Sequence, residues 1–315
     1  MTNASQMLIG ALVADAACLG THWIYDPDRI VEIADREGRP EFTAVNSSNY
    51  ENVKGYFAHG ARTVGMQTQI GEVLRLTITS MNANNRAFDA VKYQAAFAAH
   101  FGAGGTYQGY IDGPTKAALS NIAAEVQPSG SDDDQTPALA RLPAIMARYH
   151  GTPELPEMIK SSLEVTHVNP TATAYTALFA ATLGDVMDGK PLDAVLTQAV
   201  VNADPAIQAE VANALNASDV STTDFAGRAG LMGRACGLGN AGPVIVHVLA
   251  NSASYAEAIT RNIHAAGDNA GRSIMIGAIM AQAHGIATPT GIPLDWVLEL
   301  DEAAKIWKAC VSIAG

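Results

Sequence analysis

Apolar residues recur at three- and four-residue spacing through most of this chain of 315 residues, the period of helices that bury one face. Met7, Leu8, Ala11, Leu12, Asp15 and Cys18 follow it in a first helix expected over residues 5–19. Residues 20–65 are rich in Asn, Gly, Pro and Tyr and read as a long loop, a feature that often carries function. Helices are expected next over 67–81 and 88–101, followed by the glycine-rich stretch GAGGTYQGYIDGPTK. The polar segment 125–136, which contains SGSDDDQT, reads by itself as a linker. The helical pattern resumes over 137–149, 153–164, 170–188 and 191–202, each opening on proline, which the first helical turn tolerates. Further helices are expected over 205–216, 254–264, 271–284 and 293–309, with Gly285 suited to a helix end. No stretch alternates with the period of a strand, and there is no sequence repeat or heptad array. Without a break in composition, the expected architecture is all-α, with one domain spanning 1–315.

Composition narrows the function. Aromatic residues make up only 6% and the net charge is −12. No Lys or Arg run offers the positive patch that a phosphate backbone requires, so nucleic acid is not an expected partner. Cys18, Cys236 and Cys310 are odd in number and far apart, which suggests neither a disulfide framework nor a CxxC metal site. The apolar opening MTNASQMLIGALVADAACLG lacks a basic leader and is interrupted by Asp15, so it reads as a buried helix, not a membrane span or signal peptide. A cytoplasmic protein is expected. Nothing sets its oligomeric state.

Five separated segments carry a resemblance. They are IGALVADAACLG (9–20), TPALARLPAIM (136–146), THVNPTATAYTALFAA (166–181), NIHAAGDNAGRSIMIGAIMAQAHG (262–285) and GIPLDW (291–296). In order and spacing they resemble the ADP-ribosylglycohydrolase family, and more closely its J1-crystallin-like branch. The resemblance implies a compact, roughly orthogonal all-α fold with a central cleft. In metal-dependent members, two divalent ions lie between an early Thr-Asp-Asp-like motif and a late Asp-x-Asp-Thr motif. There they orient a ribose and activate water to cleave an N- or O-glycosidic bond. Here VGMQT puts Gly65, Met66 and Gln67 at the early ligand positions, with Thr68 beside them. In the late motif Asp268 remains, but Ala270 and Gly271 replace the second Asp and the Thr. A hard dication takes roughly six oxygen ligands, so neither metal nor cofactor is expected.

The residues left on the matched segments supply the candidate site. Asp268 and Arg272 lie four apart and share a helix face, as an ordinary first-turn ion pair or as a carboxylate and a fixed positive charge at the vacated metal site. Asp133 and Asp134, in the acidic run that starts at Asp132, are candidate catalytic acids with Asp268, because neighbouring carboxylates raise one another's pKa; a solvated loop is the alternative. Asn269, Thr68, Gln67, His167, Arg141 and Trp23 join Arg272 as candidate substrate-binding residues. His59 is a further cleft candidate, and His22, beside Trp23 in THWIYDP, a candidate for the pocket wall; either could be purely structural. Asp15 reads as a buried tie between elements, and Cys236 lacks an evident base to make it a nucleophile.

Three functions follow. One is a glycohydrolase-type enzyme acting on a small N-glycoside or related metabolite in an acidic cleft without the dinuclear centre. The second is a non-catalytic, crystallin-like binding or structural protein, and the third a metal-dependent ADP-ribosyl hydrolase. In each ligand-binding case the expected partner is a small molecule.

Overall fold

The computed structural model describes residues 3–228, 230 and 232–315. Among them the chain is all-α, with 16 helices and no strand, its few β-bridges being isolated. In order the helices are α1 (Asn3–Cys18), α2 (Pro27–Glu37), α3 (Gln69–Ala83), α4 (Ala90–Phe101), α5 (Gly113–Ala123), α6 (Leu142–Tyr149), α7 (Leu155–Leu163) and α8 (Pro170–Met187). They continue as α9 (Leu192–Asn202), α10 (Pro205–Asn216), α11 (Thr222–Gly227), α12 (Leu238–Ala250), α13 (Tyr255–His264), α14 (Asn269–His284), α15 (Leu294–Leu298) and α16 (Ala303–Ala314).

The core is organised around α1 and α14. Helix α14 is buried from Asn269 to Gln282, and α1 lies along it. The two backbones approach closely because their facing residues are small. A methyl group at Gly10 would stand 2.2 Å from Ala281 Cβ and 2.6 Å from the Gly277 carbonyl oxygen. Helices α3, α6 and α16 pack on α1, while α8, α12 and α13 pack on α14. The apolar run Ala4–Thr21 has a mean hydropathy of 1.3, high enough for a membrane span by composition, but is 89% buried inside the protein. It is a core helix.

Several elements differ from the sequence expectation. The long loop contains α2, whose signals are local: Asp26 caps its N-terminus, Pro27 opens it, Ile30 and Ile33 are buried, and Gly38 ends it at φ 76°. Helices α5, α11 and α12 were not expected; in α12 the sequence LGNAGPV hides the helix behind two glycines and a proline. The expected helix over 137–149 is a 3₁₀ turn, Thr136–Leu139, followed by α6. That over 293–309 is divided into α15 and α16 at Glu302, which lies at φ 59°. Residues 125–136 are no free linker. Ser129 is buried, Gly130 N donates to Glu164 O at 2.8 Å and Ser131 N to Thr166 O at 3.1 Å, so the segment is stitched to the end of α7.

Candidate active site

Three backbone clamps build the site. Trp23 N donates to Gly267 O at 2.8 Å, and Gly267 N returns to Ile24 O at 2.6 Å, which holds the turn after the first helix against the entry to α14. Asp268 N donates to Arg234 O at 2.9 Å. Thr136 N donates to Cys236 O at 2.9 Å, and Leu238 N to Asp134 O at 2.8 Å, so the polar segment is drawn to the start of α12. Gly267 sits at φ 68° with the Arg234 carbonyl oxygen 2.2 Å from where a Cβ would be, so no side chain fits there. Trp23 (φ 65°) and Ala266 (φ 63°) are non-glycine residues in left-handed backbone beside it, a conformation that costs energy unless its surroundings impose it.

These clamps converge on Asp268, at the mouth of α14. Its Oδ1 accepts from His22 Nε2 at 2.8 Å and its Oδ2 from Thr136 Oγ1 at 2.6 Å, all three residues being buried. His22 Nδ1 lies 2.7 Å from His59 Nε2, which extends the chain to a second buried ring. Burial alone would push the Asp268 carboxyl up, but the His22 and Thr136 hydrogen bonds and the Arg272 charge hold it below the ordinary carboxylate value. His59 is pushed well below the ordinary histidine value by burial, with His22 and Arg62 adding to it. Asp268 is the anion of the group and His59 is neutral.

A narrow pocket opens over this chain, lined by His22, Trp23, His59, Thr68, Tyr110, Asp112, Gln135, Thr136, Cys236 and Asp268. Its lining contains no Lys and no Arg. Trp23 forms one wall, its indole 4.4 Å from the His22 ring and edge-on to Tyr110 at 5.1 Å. Trp23 Nε1 donates to Cys236 Sγ at 3.2 Å, while burial and the Asp268 charge push the thiol far above its ordinary value. Cys236 is a thiol, not a nucleophilic thiolate.

The structure separates the sequence candidates. Asp268, Thr68 and Trp23 line the pocket with His22 and His59. The Thr68 hydroxyl and amide both bind Asp15, at 2.6 and 2.7 Å, so that buried carboxyl ties α1 to the start of α3. Desolvation pushes Asp15 up to about 7. Arg272 does not line the pocket: its Nε donates to Asn262 Oδ1 at 2.8 Å and its Nη2 to Ala266 O at 2.7 Å. It holds the turn that presents Asp268. Asn269 is buried behind it, donating to Thr21 Oγ1 at 2.9 Å. Gln67 is also buried and outside the lining, accepting from Arg75 at 3.2 Å.

A second group lies elsewhere. Arg141 is buried, donating from Nε to Ser162 O at 2.7 Å and from Nη2 to Thr166 Oγ1. The same hydroxyl meets His167 Nδ1 at 2.8 Å. Asp133 accepts from the Gln135 amide and side chain at 2.9 and 3.0 Å, and Asp134 stands beside Gly237. Neither aspartate lines the pocket; both shape the turn that carries Gln135 and Thr136. Sequence reasoning passed over Asp112, Tyr110, Gln69 and Thr136. The Asp-Gly-Pro order at the start of α5 was the available signal for Asp112, which caps it through Thr115 N at 2.8 Å.

An all-α helical fold with one carboxylate at the entry of a central buried helix defines the class. The sequence model described as ADP-ribosylglycohydrolase matches residues 2–314, so the chain belongs to that family. Within it, the chain is 26% identical to Crystallin J1A of Tripedalia cystophora over 96% of its own length and 94% of that protein's. It is 28% identical to Crystallin J1B of the same animal over 58% of this chain and 56% of the relative. A solved structure titled as an ADP-ribosylglycohydrolase-related protein complex shares the fold, with a TM-score of 0.70 at 14% identity, covering 99% of this chain and 98% of the other.

Proposed function

We propose that this protein is a glycohydrolase-type enzyme whose pocket takes a small, neutral or cationic N-glycoside or related metabolite and works without a dinuclear metal centre. The observation that carries this reading is the state of Asp268. Both its oxygens are bound by side chains of the protein, one by His22 and one by Thr136. A side chain at residue 271 would have its Cβ 2.1 Å from Thr136 Oγ1 and 2.2 Å from Asp268 Oδ2, so glycine there is what lets the two meet. The threonine that metal-dependent relatives carry at this position does not fit. Around it, Met66, Gln67 and Ala270 offer no carboxylate, and among the described residues no group of three His, Cys, Asp or Glu could hold an ion. The residues present do not fit a pair of hard dications.

Ligand charge follows from the lining. With carboxylates at Asp112 and Asp268 and no Lys or Arg, the pocket repels a diphosphate and favours neutral or cationic groups. Any chemistry then rests on the Asp268–His22 pair as the buried, oriented acid–base group, with Arg272 as the balancing charge behind it. A second reading, a non-catalytic binding or structural protein, is favoured by the crystallin names of both relatives. The two separate on a panel of ADP-ribosylated arginine, other ADP-ribose conjugates and simple nucleosides, assayed for released base and by thermal shift. Hydrolysis of an uncharged nucleoside, abolished in Asp268→Asn, supports the enzyme. Stabilisation without turnover supports the binding protein, and metal-stimulated cleavage of ADP-ribose conjugates overturns both.

A further inference from the structure

As it stands the pocket admits no metabolite. Its free interior is about 10 Å³, the room of a single water molecule, so under the small-molecule reading above one wall has to move. Most of the lining is fixed. Trp23 is clamped to Gly267 by its amide and to Cys236 by its indole. Asp268, His22 and Thr136 are bound together, and Thr68 is bound to Asp15. Asp112 caps α5 through Thr115 N, and its own amide donates to Gln69 Oε1 at 2.7 Å. Tyr110 is the exception. Among the described residues neither its amide nor its hydroxyl makes a hydrogen bond to the protein, and its one tie is the Tyr107 hydroxyl, which donates to its carbonyl oxygen at 3.1 Å. It hangs on a short strap between two anchors. At one end Tyr107 is buried, its amide bonded to His100 O at 2.9 Å and its ring under the Arg62 guanidinium at 4.4 Å; at the other stands Asp112. Between them the backbone of residues 108–111 makes no bond to other backbone, and only Ile111 rests on the core. Gly109 lies at φ 154°, with the Tyr107 hydroxyl 2.8 Å from where a Cβ would stand, so the strap has a glycine pivot next to Tyr110. What holds the Tyr110 ring is contact with two other rings, edge-on to Trp23 at 5.1 Å and to the 56% exposed Tyr56 at 5.6 Å, with Lys116 over it at 5.6 Å.

We propose that Tyr110 is the gate of this pocket, swinging off Trp23 about Gly109 so that a planar ring of the ligand takes its place against the indole. The proposal rests on the small-molecule reading above and narrows it. A ligand ring of the size of the tyrosine ring exchanges one aromatic contact for another, so Trp23 stays covered when the gate is open. The room that Tyr110 vacates borders Asp112 and is lined by no Lys or Arg, so the incoming ring is neutral or cationic. The fitting class is therefore a single planar ring free of phosphate, such as the base of an N-glycoside. Trp23 is the fixed jaw and Tyr110 the moving one, a division of labour common in sites that close over their ligands.

Fluorine NMR of the full chain labelled with 3-fluorotyrosine tests this without turnover. There are nine tyrosines, and loss of one signal in Tyr110→Phe assigns the resonance. Phenol, which matches the ring it would replace, should move the Tyr110 signal to a saturating, solvent-exposed position, read as a larger shift between H₂O and D₂O. Cyclohexanol, of the same size but puckered, should leave the signal in place at equal concentration. Trp23→Leu, which removes the fixed jaw, should abolish the response to phenol. A Tyr110 signal that ignores both probes overturns the proposal, as does one that follows both alike or still saturates with phenol in Trp23→Leu. Should Trp23→Leu not fold, the wild-type spectra with the probe pair decide alone. A chain that hydrolyses no nucleoside yet shows this pattern loses the glycohydrolase reading and keeps the gate. One that hydrolyses nucleosides while Tyr110 ignores both probes keeps the enzyme and loses the gate.

Discussion

The molecule has two His–Asp pairs near its candidate cleft, and they are built differently. His22 and Asp268 are 246 residues apart in sequence, meet at 2.8 Å and are both buried. His167 and Asp133 come from neighbouring segments, stand 3.6 Å apart, and the carboxylate is 22% exposed. In the first pair every carboxylate oxygen is met by a side chain, and the second ring nitrogen of His22 reaches another histidine facing the pocket. In the second pair the carboxylate is satisfied by Gln135 and the ring Nδ1 by Thr166, itself held by Arg141, while the ring Nε2 makes no hydrogen bond. The first pair is fully bonded and hands on to a second ring. The second is looser, leaves a ring nitrogen unbonded and serves the turn that carries Thr136.

Removing each carboxylate should expose that difference. Asp268→Ala leaves Arg272 buried without its counter-charge and His22 without an acceptor, and is expected to cost about 3–5 kcal/mol in denaturant unfolding. An unchanged midpoint would show that Asp268 bears no structural charge balance. Asp15 offers a third carboxylate, buried but paired only with Thr68. Its folded pKa, about 7 against an ordinary 3.8, means that the unfolded chain releases the proton first. Its contribution to stability is therefore full at low pH, falls as pH rises between those two values and stays lost above them. The loss is about 2–4 kcal/mol. Unfolding midpoints of Asp15→Asn across that range should lack this slope; an identical slope in both proteins would assign it elsewhere.

Gly271→Ala comes next. A methyl wedged between Thr136 and Asp268 is expected to cost about 1–3 kcal/mol through overpacking, read as a drop in melting temperature. Neutral behaviour would mean that the two hydroxyl and carboxylate groups can part freely. Smallest is Asp133→Ala, which removes bonds to a partly exposed turn and should cost about 1 kcal/mol, well below Asp268→Ala in the same assay. Equal losses would erase the distinction between the pairs.

What could be read along the chain divides on the same line. Helix periodicity and proline starts located α8 and α10 almost to the residue, because amphipathic spacing is a local property. The segment around Asp268 was legible by its resemblance to the family's late motif, and the expectation that Ala270 stands where that motif carries a second Asp came from the same resemblance. Helix α2 had every start and stop signal and was obscured only by the polar residues around it. The His22–Asp268 contact was not legible at all, since it depends on backbone clamps between segments over 240 residues apart and no local pattern encodes them. Arg272 was placed on the right helix but faces the Asn262–Ala266 turn, where it donates to three buried oxygens, Asn262 Oδ1, Asn262 O and Ala266 O.

The central claim is that protein side chains have replaced a metal pair around Asp268, and calorimetric titration with Mg²⁺ or Mn²⁺ addresses it most directly. No heat of tight binding is expected, and Asp268→Asn should give the same trace as the wild type. Submicromolar binding that disappears in Asp268→Asn would contradict it.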